Sequence, residues 1–371
     1  MEDKQKLRDV AYSERALSLA SRGIGLVSPN PLVGCVIVAN NEIVGEGYYT
    51  YDGVTHAEVI ALDAAGEKAR GATAYVSLEP HSHHGKTPPC TEALINAGIA
   101  RVVCPVEDPN PLVSGKGFDE LRAAGIEVVT GILEKEAAAL NEKFFCWHKK
   151  RRPFVHLKLA ASLDGRISLS SSVSTYLSSD EARNRVQALR HEYDAILVGG
   201  TTVAVDDPSL TDRSGRPRRR PLVRVVLDGH LATPFESKLV QTARDVPTIV
   251  FTAEKGEAAE QLASAGVEVI FCEHGGHDLD FVLSELHKRE LQSVLVEGGS
   301  AVAGSFRDAG LIDKLSIIFA PLVIGGDDAP TAFAGAGAAE MSDALKLSRV
   351  AVSLLGRDIE VTGYPETNLT R

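Results

Sequence analysis

The chain has 371 residues, 44% of them hydrophobic and 24% charged, and its 39 basic against 50 acidic side chains leave a formal net charge of −11. That length predicts two domains with a core each, and the composition excludes disordered and collagen-like chains. An acidic chain lacks the long-range attraction to phosphate backbones or anionic lipid, no apolar run approaches the roughly 20 residues of a membrane span, and Met1–Val10 is charged without an apolar signal core.

A cytoplasmic protein without nucleic acid or membrane as partner is therefore expected. The cysteines, Cys35, Cys90, Cys104, Cys146 and Cys272, are odd in number and scattered. They read as a metal ligand plus buried thiols, not as a disulfide framework.

In chain order, Leu7, Val10 and Leu17 predict an opening amphipathic helix. Val33–Val38 and Glu42–Gly47 predict strands around an Asn40-Asn41 turn. Helices are predicted at His56–Ala65, Pro89–Ala97 and near Phe118–Ala124, and strands at Ala72–Leu78, Arg101–Pro105 and Glu127–Thr130. His148-Lys149-Lys150-Arg151-Arg152-Pro153 reads as an exposed linker after a helix ending near Trp147, or as a helix end carrying dipole-complementary cations. It divides the chain into domains at 1–148 and 149–371. Beyond it, Phe154–Leu159, Ala195–Val198, Leu222–Leu227, Thr248–Phe251, Val267–Phe271 and Ser293–Glu297 are β-branched apolar runs with helical patterns between most of them. The fold class is α/β, with a mainly parallel sheet.

Thr55-His56-Ala57-Glu58 opens a helix, His81 follows His56 by twenty-five residues, and Cys90 follows His81 by nine. A catalytic zinc takes three protein ligands and keeps one position for water. His56, His81 and Cys90 supply three, and Glu58, two residues from a ligand, can take a proton from water and return it to a leaving amine. That is the logic of hydrolytic deamination. The plainer readings are that Thr55-x-x-Glu58 is a helix capping box and that His81, His83 and His84 are solvated loop residues.

Together, Ser28-Pro29-Asn30-Pro31-Leu32-Val33-Gly34-Cys35, His56-Ala57-Glu58, Leu78-Glu79-Pro80, the run Ser82 to Cys90 and Asp108-Pro109-Asn110-Pro111 resemble the deaminase half of the bifunctional riboflavin-biosynthesis deaminase/reductase family. The resemblance implies a cytidine-deaminase-like α/β/α domain with one zinc ion. It also implies that Glu58 is the proton shuttle, and that Asn30, Lys86, Asp108 and Asn110 hold the pyrimidine and its ribose phosphate. Two positions depart from the family: it has Cys where this chain has His81, and usually His where this chain has Tyr49. Exchanging a thiolate for imidazole takes the ligand charge from −2 to −1 and shortens that bond from about 2.3 to about 2.0–2.1 Å, so metal or loop must shift.

After the linker, a strand carrying Lys158 runs into Asp164-Gly165, and Val198-Gly199-Gly200-Thr201-Thr202 follows. Val294–Glu297 then leads through Gly298-Gly299-Ser300 into a helix, a junction that offers backbone N–H groups to phosphate. These segments resemble the reductase half of the same family, with its dihydrofolate-reductase-like fold. The resemblance implies NADPH and a phosphorylated ribosylaminopyrimidine. Ala160, Tyr176 (often Trp in the family), Thr202, Asp206, Gly298, Gly299 and Ser300 would face NADPH, and Ser174, Arg190, Leu210, Arg213 and Glu297 the substrate. Arg190 and Arg213 suit phosphate, because a guanidinium pairs bidentately with its oxygens. The plainer reading makes them a helix end and a charged loop residue. Lys158 and Asp206 would assist opening of the ribosylamine, or would form an ion pair bracing the sheet.

The leading expectation is a homo-oligomeric two-step enzyme, deaminating and then reducing. The alternatives are a reductase with a degenerate deaminase-like domain, and a nucleic-acid deaminase or binding module, which the acidic balance disfavours.

Overall fold

A computed structural model describes residues 2–51, 55–84, 88–173 and 175–366. It divides into two compact units, Met1–Arg151 with Pro217–Arg219, and Arg152–Arg216 with Arg220–Arg371.

The first unit contains α1 (Glu2–Ala20), β1 (Gly34–Ala39), β2 (Glu42–Tyr48), α2 (Ala57–Ala65), β3 (Thr73–Val76), α3 (Cys90–Asn96), β4 (Arg101–Cys104), α4 (Lys116–Ala123), β5 (Glu127–Thr130), α5 (Glu134–Leu140) and α6 (Glu142–Lys150). Its sheet runs β2-β1-β3-β4-β5, with β1 antiparallel to both neighbours and β3, β4 and β5 parallel. The hairpin between β1 and β2 turns on Asn40 and Asn41 at φ 52° and 65°, a left-handed pair that asparagine tolerates better than most residues. Successive strand side chains point to opposite faces, and the burial follows. Cys35, Ile37, Ala74, Val76, Val102 and Cys104 pack against α2, α3 and α4. Val36, Val38, Tyr75 and Val103 pack against Ala16 and Leu19 of α1. An α/β/α sandwich results. The helix expected to end near Trp147 continues to Lys150 and stops at Arg151, φ 55°. His148, Lys149 and Lys150 form its last turn, where the unpaired carbonyls favour cations, so the basic run is a helix end before it is a linker.

The second unit contains β6 (Phe154–Ser162), α7 (Asp180–Glu192), β7 (Ala195–Gly199), α8 (Gly200–Asp206), β8 (Val223–Leu227), α9 (Lys238–Gln241), β9 (Thr248–Thr252), α10 (Glu257–Ser264), β10 (Glu268–Phe271), α11 (Leu279–Lys288), β11 (Ser293–Gly298), α12 (Ser300–Asp308), β12 (Lys314–Ala320), β13 (Leu347–Leu355) and β14 (Asp358–Pro365). Nine strands lie in the order β10-β9-β8-β7-β11-β6-β12-β14-β13, parallel from β10 to β12 and antiparallel through β14 and β13. One face packs Leu157, Leu159, Leu197, Val225, Phe251, Leu295's neighbours Val294 and Val296, and the buried stripe of α11. The other packs Ile196, Val198, Val226 and Val250 against α8, α9 and α10. The sequence reading assigns nothing to β12, β13 or β14. In β13 Val350, Val352 and Leu354 alternate with Ala351 and Ser353, an available period-two signal, although all six residues Arg349–Leu354 are exposed in the fold.

Candidate functional site

In the first unit, a Cβ at Gly47 on β2 would lie 2.3 Å from the carbonyl oxygen of Ala57. The missing side chain lets the first turn of α2 lie directly on the strand, and that turn carries His56 and Glu58. His56 is the N-cap residue of α2, extended at φ −73° and ψ 155°, without a side-chain cap bond. The capping box suggested by Thr55 and Glu58 therefore does not form: the helix begins one residue later, and Glu58 is its second residue.

Cys90 is the fully buried first residue of α3, and His81 lies in the loop between β3 and α3. The donor atoms of His56, His81 and Cys90 all lie within 4.8 Å of one another. Cys90 Sγ is 3.3 Å from His56 Nδ1, and the His56 and His81 rings are 4.4 Å apart. Burial, aided by His56 and His83, pushes His81 down to about 4, so it is the neutral imidazole that a metal requires. Burial pushes the Cys90 thiol up, and Glu58 adds to this, so a thiolate here calls for a cation among the three donors. Glu58 is 2% exposed, and its Oε2 has no hydrogen-bond partner. Burial raises its carboxyl above the ordinary range, against opposing effects of His56 and the Cys90 side chain. A buried carboxylate with one orphaned oxygen, next to the His56 and Cys90 members of a three-donor cluster, suits a zinc with a water to be deprotonated.

Around this centre, the ring of Tyr49 is 5.4 Å from that of His56, and its hydroxyl oxygen accepts a 2.6 Å hydrogen bond from Asn30 Nδ2. Glu79, which the sequence reading left without a role, accepts from the backbone N–H groups of Asp108, Gly115 and Gly117 at 3.0, 2.9 and 2.9 Å. It ties down the loop carrying Asp108 and Asn110, which form successive Asx turns onto the N–H groups of Asn110 and Leu112. Lys86 lies outside the described residues.

Burial, with the charge of Glu79 adding to it, pushes the buried Asp108 up to about 7. A carboxyl raised on folding contributes stability that is present below its ordinary value and lost as pH rises through the folded one. Between pH 4 and 7 the wild type should lose on the order of 2–4 kcal/mol relative to Asp108→Asn. Denaturant melts across that range would show parallel curves if Asp108 were ionised in the fold.

In the second unit, a cavity of about 600 Å³ opens at the carboxyl ends of the parallel strands. Lys158, Ala160, Thr202, Asp206, Glu297, Gly298, Gly299 and Ser300 all line it. Gly298 and Gly299 turn at φ 57° and 76°, and Gly299 caps α12, so the strand ends on free helix N–H groups facing the cavity. Leu227 at the end of β8, Asp228–His230 after it and Gly275–His277 after β10 line it too. The sequence reading missed them, although glycines directly after two parallel strands were the available signal.

Arg190 holds Glu297 bidentately, Nε to Oε1 at 2.7 Å and Nη2 to Oε2 at 3.0 Å, and its Nη1 donates to the Thr211 carbonyl at 3.1 Å. Expected at a substrate phosphate, its guanidinium is engaged by a carboxylate. Lys158 Nζ is 3.7 Å from Glu297 Oε2, so the partner of Lys158 is Glu297, while Asp206 is exposed at the end of α8. Burial works to raise the carboxyl of Glu297, but two cations hold it down to about 2. Lys158 is lowered, because it loses more to burial than its share of one carboxylate restores. Leu210, expected to face substrate, is buried in the apolar layer with Ile196 and Val198. Tyr176 is 88% exposed and Arg213 is exposed, and neither lines the cavity. Ser174 lies outside the described residues.

Residues 7–106 match the model of the cytidine and deoxycytidylate deaminase zinc-binding region, and residues 153–361 match that of the RibD C-terminal domain. The riboflavin biosynthesis protein RibD of Bacillus amyloliquefaciens is 44% identical over 357 residues, covering 96% of both chains. That of Actinobacillus pleuropneumoniae is 42% identical over 356 residues, covering 95% of this chain and 94% of the other. Among solved structures, Acinetobacter baumannii RibD superposes with a TM-score of 0.88 at 37% identity, covering 97% of this chain and 99% of that one. A diaminohydroxyphosphoribosylaminopyrimidine deaminase/5-amino-6-(5-phosphoribosylamino)uracil reductase from Thermotoga maritima gives 0.86 at 36%, covering 98% and 100%.

Proposed function

This chain belongs to the family of riboflavin biosynthesis proteins RibD, and on that premise we propose how its residues divide the chemistry. It is a bifunctional enzyme of riboflavin biosynthesis, a zinc-dependent deaminase joined to an NADPH-dependent reductase, acting on a ribosylaminopyrimidine phosphate.

His56, His81 and Cys90 would hold the zinc, which when bound would supply a Lewis acid that acidifies water. Glu58 would take a proton from water on its carboxylate and return it to the departing amine. Asn30, oriented by Tyr49, and the clamped loop bearing Asp108 and Asn110 hold the pyrimidine and its ribose phosphate, with Lys86. In the other unit NADPH, when bound, supplies the hydride that reduces the ribosyl group to ribityl. Ala160, Thr202 and the Gly298–Ser300 turn seat the cofactor, whereas Tyr176 stands outside the cavity that would hold it. Lys158 gives a proton in opening the ribosylamine, a task eased by its lowered affinity for that proton, and Asp206 assists. Glu297, braced by Arg190, holds Lys158 and faces the substrate, and Ser174 contributes to binding the same substrate. Arg213 takes the substrate's phosphate. The same reading makes the protein a cytoplasmic homo-oligomer with neither nucleic acid nor membrane as partner, and its acid excess supports the absence of those two partners.

The observation that carries the deaminase assignment is the convergence of three donors, His56, His81 and Cys90, with the buried Glu58, one oxygen of which has no partner, next to His56 and Cys90. Chelation should strip zinc and stop ammonia release, yet leave NADPH oxidation by the deaminated substrate intact. His81→Ala should lose the metal, whereas His81→Cys should retain it more tightly, because a second thiolate adds charge and a softer donor. Zinc content independent of residue 81 would remove it from the ligand set.

A further inference from the structure

Between α8 and β8, the segment 207–214 has no regular secondary structure, yet it is fastened almost residue by residue. Asp207 Oδ1 accepts from the Lys238 N–H at 2.8 Å, and Leu210 is buried to 3% exposure despite a left-handed φ of 45°. The next three residues are each held by a different side chain of α7. Arg190 donates to the Thr211 carbonyl at 3.1 Å, His191 Nδ1 lies 3.0 Å from Asp212 Oδ2, and Gln187 Oε1 accepts from the Arg213 N–H at 2.8 Å. The other oxygen of Asp212 accepts from the Ser214 N–H at 2.9 Å. The side chains of His191 and Asp212 are 3% and 6% exposed. From this lattice one long side chain projects into solvent, that of Arg213.

Burying an imidazole and a carboxylate under an irregular surface loop is a poor way to gain stability, since desolvation offsets most of the attraction. It is an effective way to fix a direction: buried polar pairs specify one arrangement, and a binding group held in place loses less freedom when its ligand arrives. The clamp also joins the cavity, because Arg190 holds Glu297 in the cavity wall and Thr211 in the loop with one guanidinium.

We propose that His191 and Asp212 are a positioning pair for the reductase, which with Gln187 aims Arg213 at the phosphate of the ribosylaminopyrimidine. This rests on Arg213 being the phosphate ligand, and the test separates the two statements. His191→Leu preserves bulk but leaves Asp212 without its α7 partner, and His191→Asn places an amide Nδ2 where Nδ1 was. For the first, KM of the deaminated substrate should rise about tenfold, the worth of a charge-assisted contact misaligned, with the NADPH dissociation constant unchanged. His191→Asn should restore KM to within about twofold. In an Arg213→Ala background, His191→Leu should raise KM no further, because a residue acting through Arg213 has nothing left to position. Gln187→Ala, at a half-buried surface position, should reproduce a smaller part of the same rise if His191→Leu does not fold. Additive losses in the double variant, an equal loss of NADPH affinity, or a KM unchanged in His191→Leu and Gln187→Ala would each overturn the proposal. An unchanged KM in Arg213→Ala itself would overturn the phosphate assignment on which it stands.

Discussion

Glu58→Gln should abolish ammonia release, by about a thousandfold or more, while zinc content and NADPH oxidation stay at wild-type levels. The amide matches the carboxylate in shape, so the packing against Cys90 and the first turn of α2 persists. What disappears is the ability to accept a proton and pass it on, a function worth about 10²–10⁴-fold by itself. Among the described residues, Glu58 accepts only from its own backbone N–H and the Cys90 side chain, contacts an amide oxygen can keep, and its other oxygen is buried without a partner, so a structural role gives it little to lose in this variant. Loss of zinc in Glu58→Gln would contradict this and make the residue a support for His56. Metal analysis of the purified variant, beside the two activity assays, distinguishes the outcomes.

Glu297→Gln should destabilise the reductase unit by about 3–5 kcal/mol and stop hydride transfer. The carboxylate is the shared partner of Lys158 and Arg190, all three almost wholly buried. Removing its charge leaves two cations facing each other away from water, which costs far more than an ion pair contributes while intact. For a unit of this size the midpoint of thermal unfolding should fall by roughly 10 °C. The carboxyl is held down to about 2, so its contribution is present above its ordinary value and is lost only as pH falls through that region. The gap between wild type and variant should therefore be steady from pH 5 to neutrality. A variant within about 1 kcal/mol of wild type would mean that water reaches the triad and screens it.

Much of the deaminase centre was legible because its chemistry is local. His56, Ala57 and Glu58 are consecutive, Cys90 opens a helix, and only a few residue types bind zinc. The capping alternative was equally legible and failed for a reason that one dimension hides, since Gly47 draws α2 onto β2 and the helix starts at Ala57. In the reductase, the glycine turn after β11 could be read, because left-handed backbone demands glycine. The partners of Arg190 and Lys158 could not. Both attract anions, and whether the anion is a ligand's phosphate or Glu297 depends on which strands are neighbours, β11 lying between β6 and β7.

Periodicity, composition and short motifs were enough for the two-unit α/β organisation, the alternation of strands and helices, the family resemblance and the three candidate metal donors. The sequence also carried the β1–β2 hairpin turn in two adjacent asparagines. It took the folded arrangement to show that Glu79 clamps a loop, that Asp108 sits deep enough to keep its proton toward pH 7, that Leu210 is core, and that β13 and β14 extend the sheet. Each of these is a matter of burial or of partners far apart in the chain. Desolvation and pairing depend on what surrounds a group in space, and for residues such as Asp212 and His191, twenty-one positions apart, that neighbourhood exists only after the chain has folded.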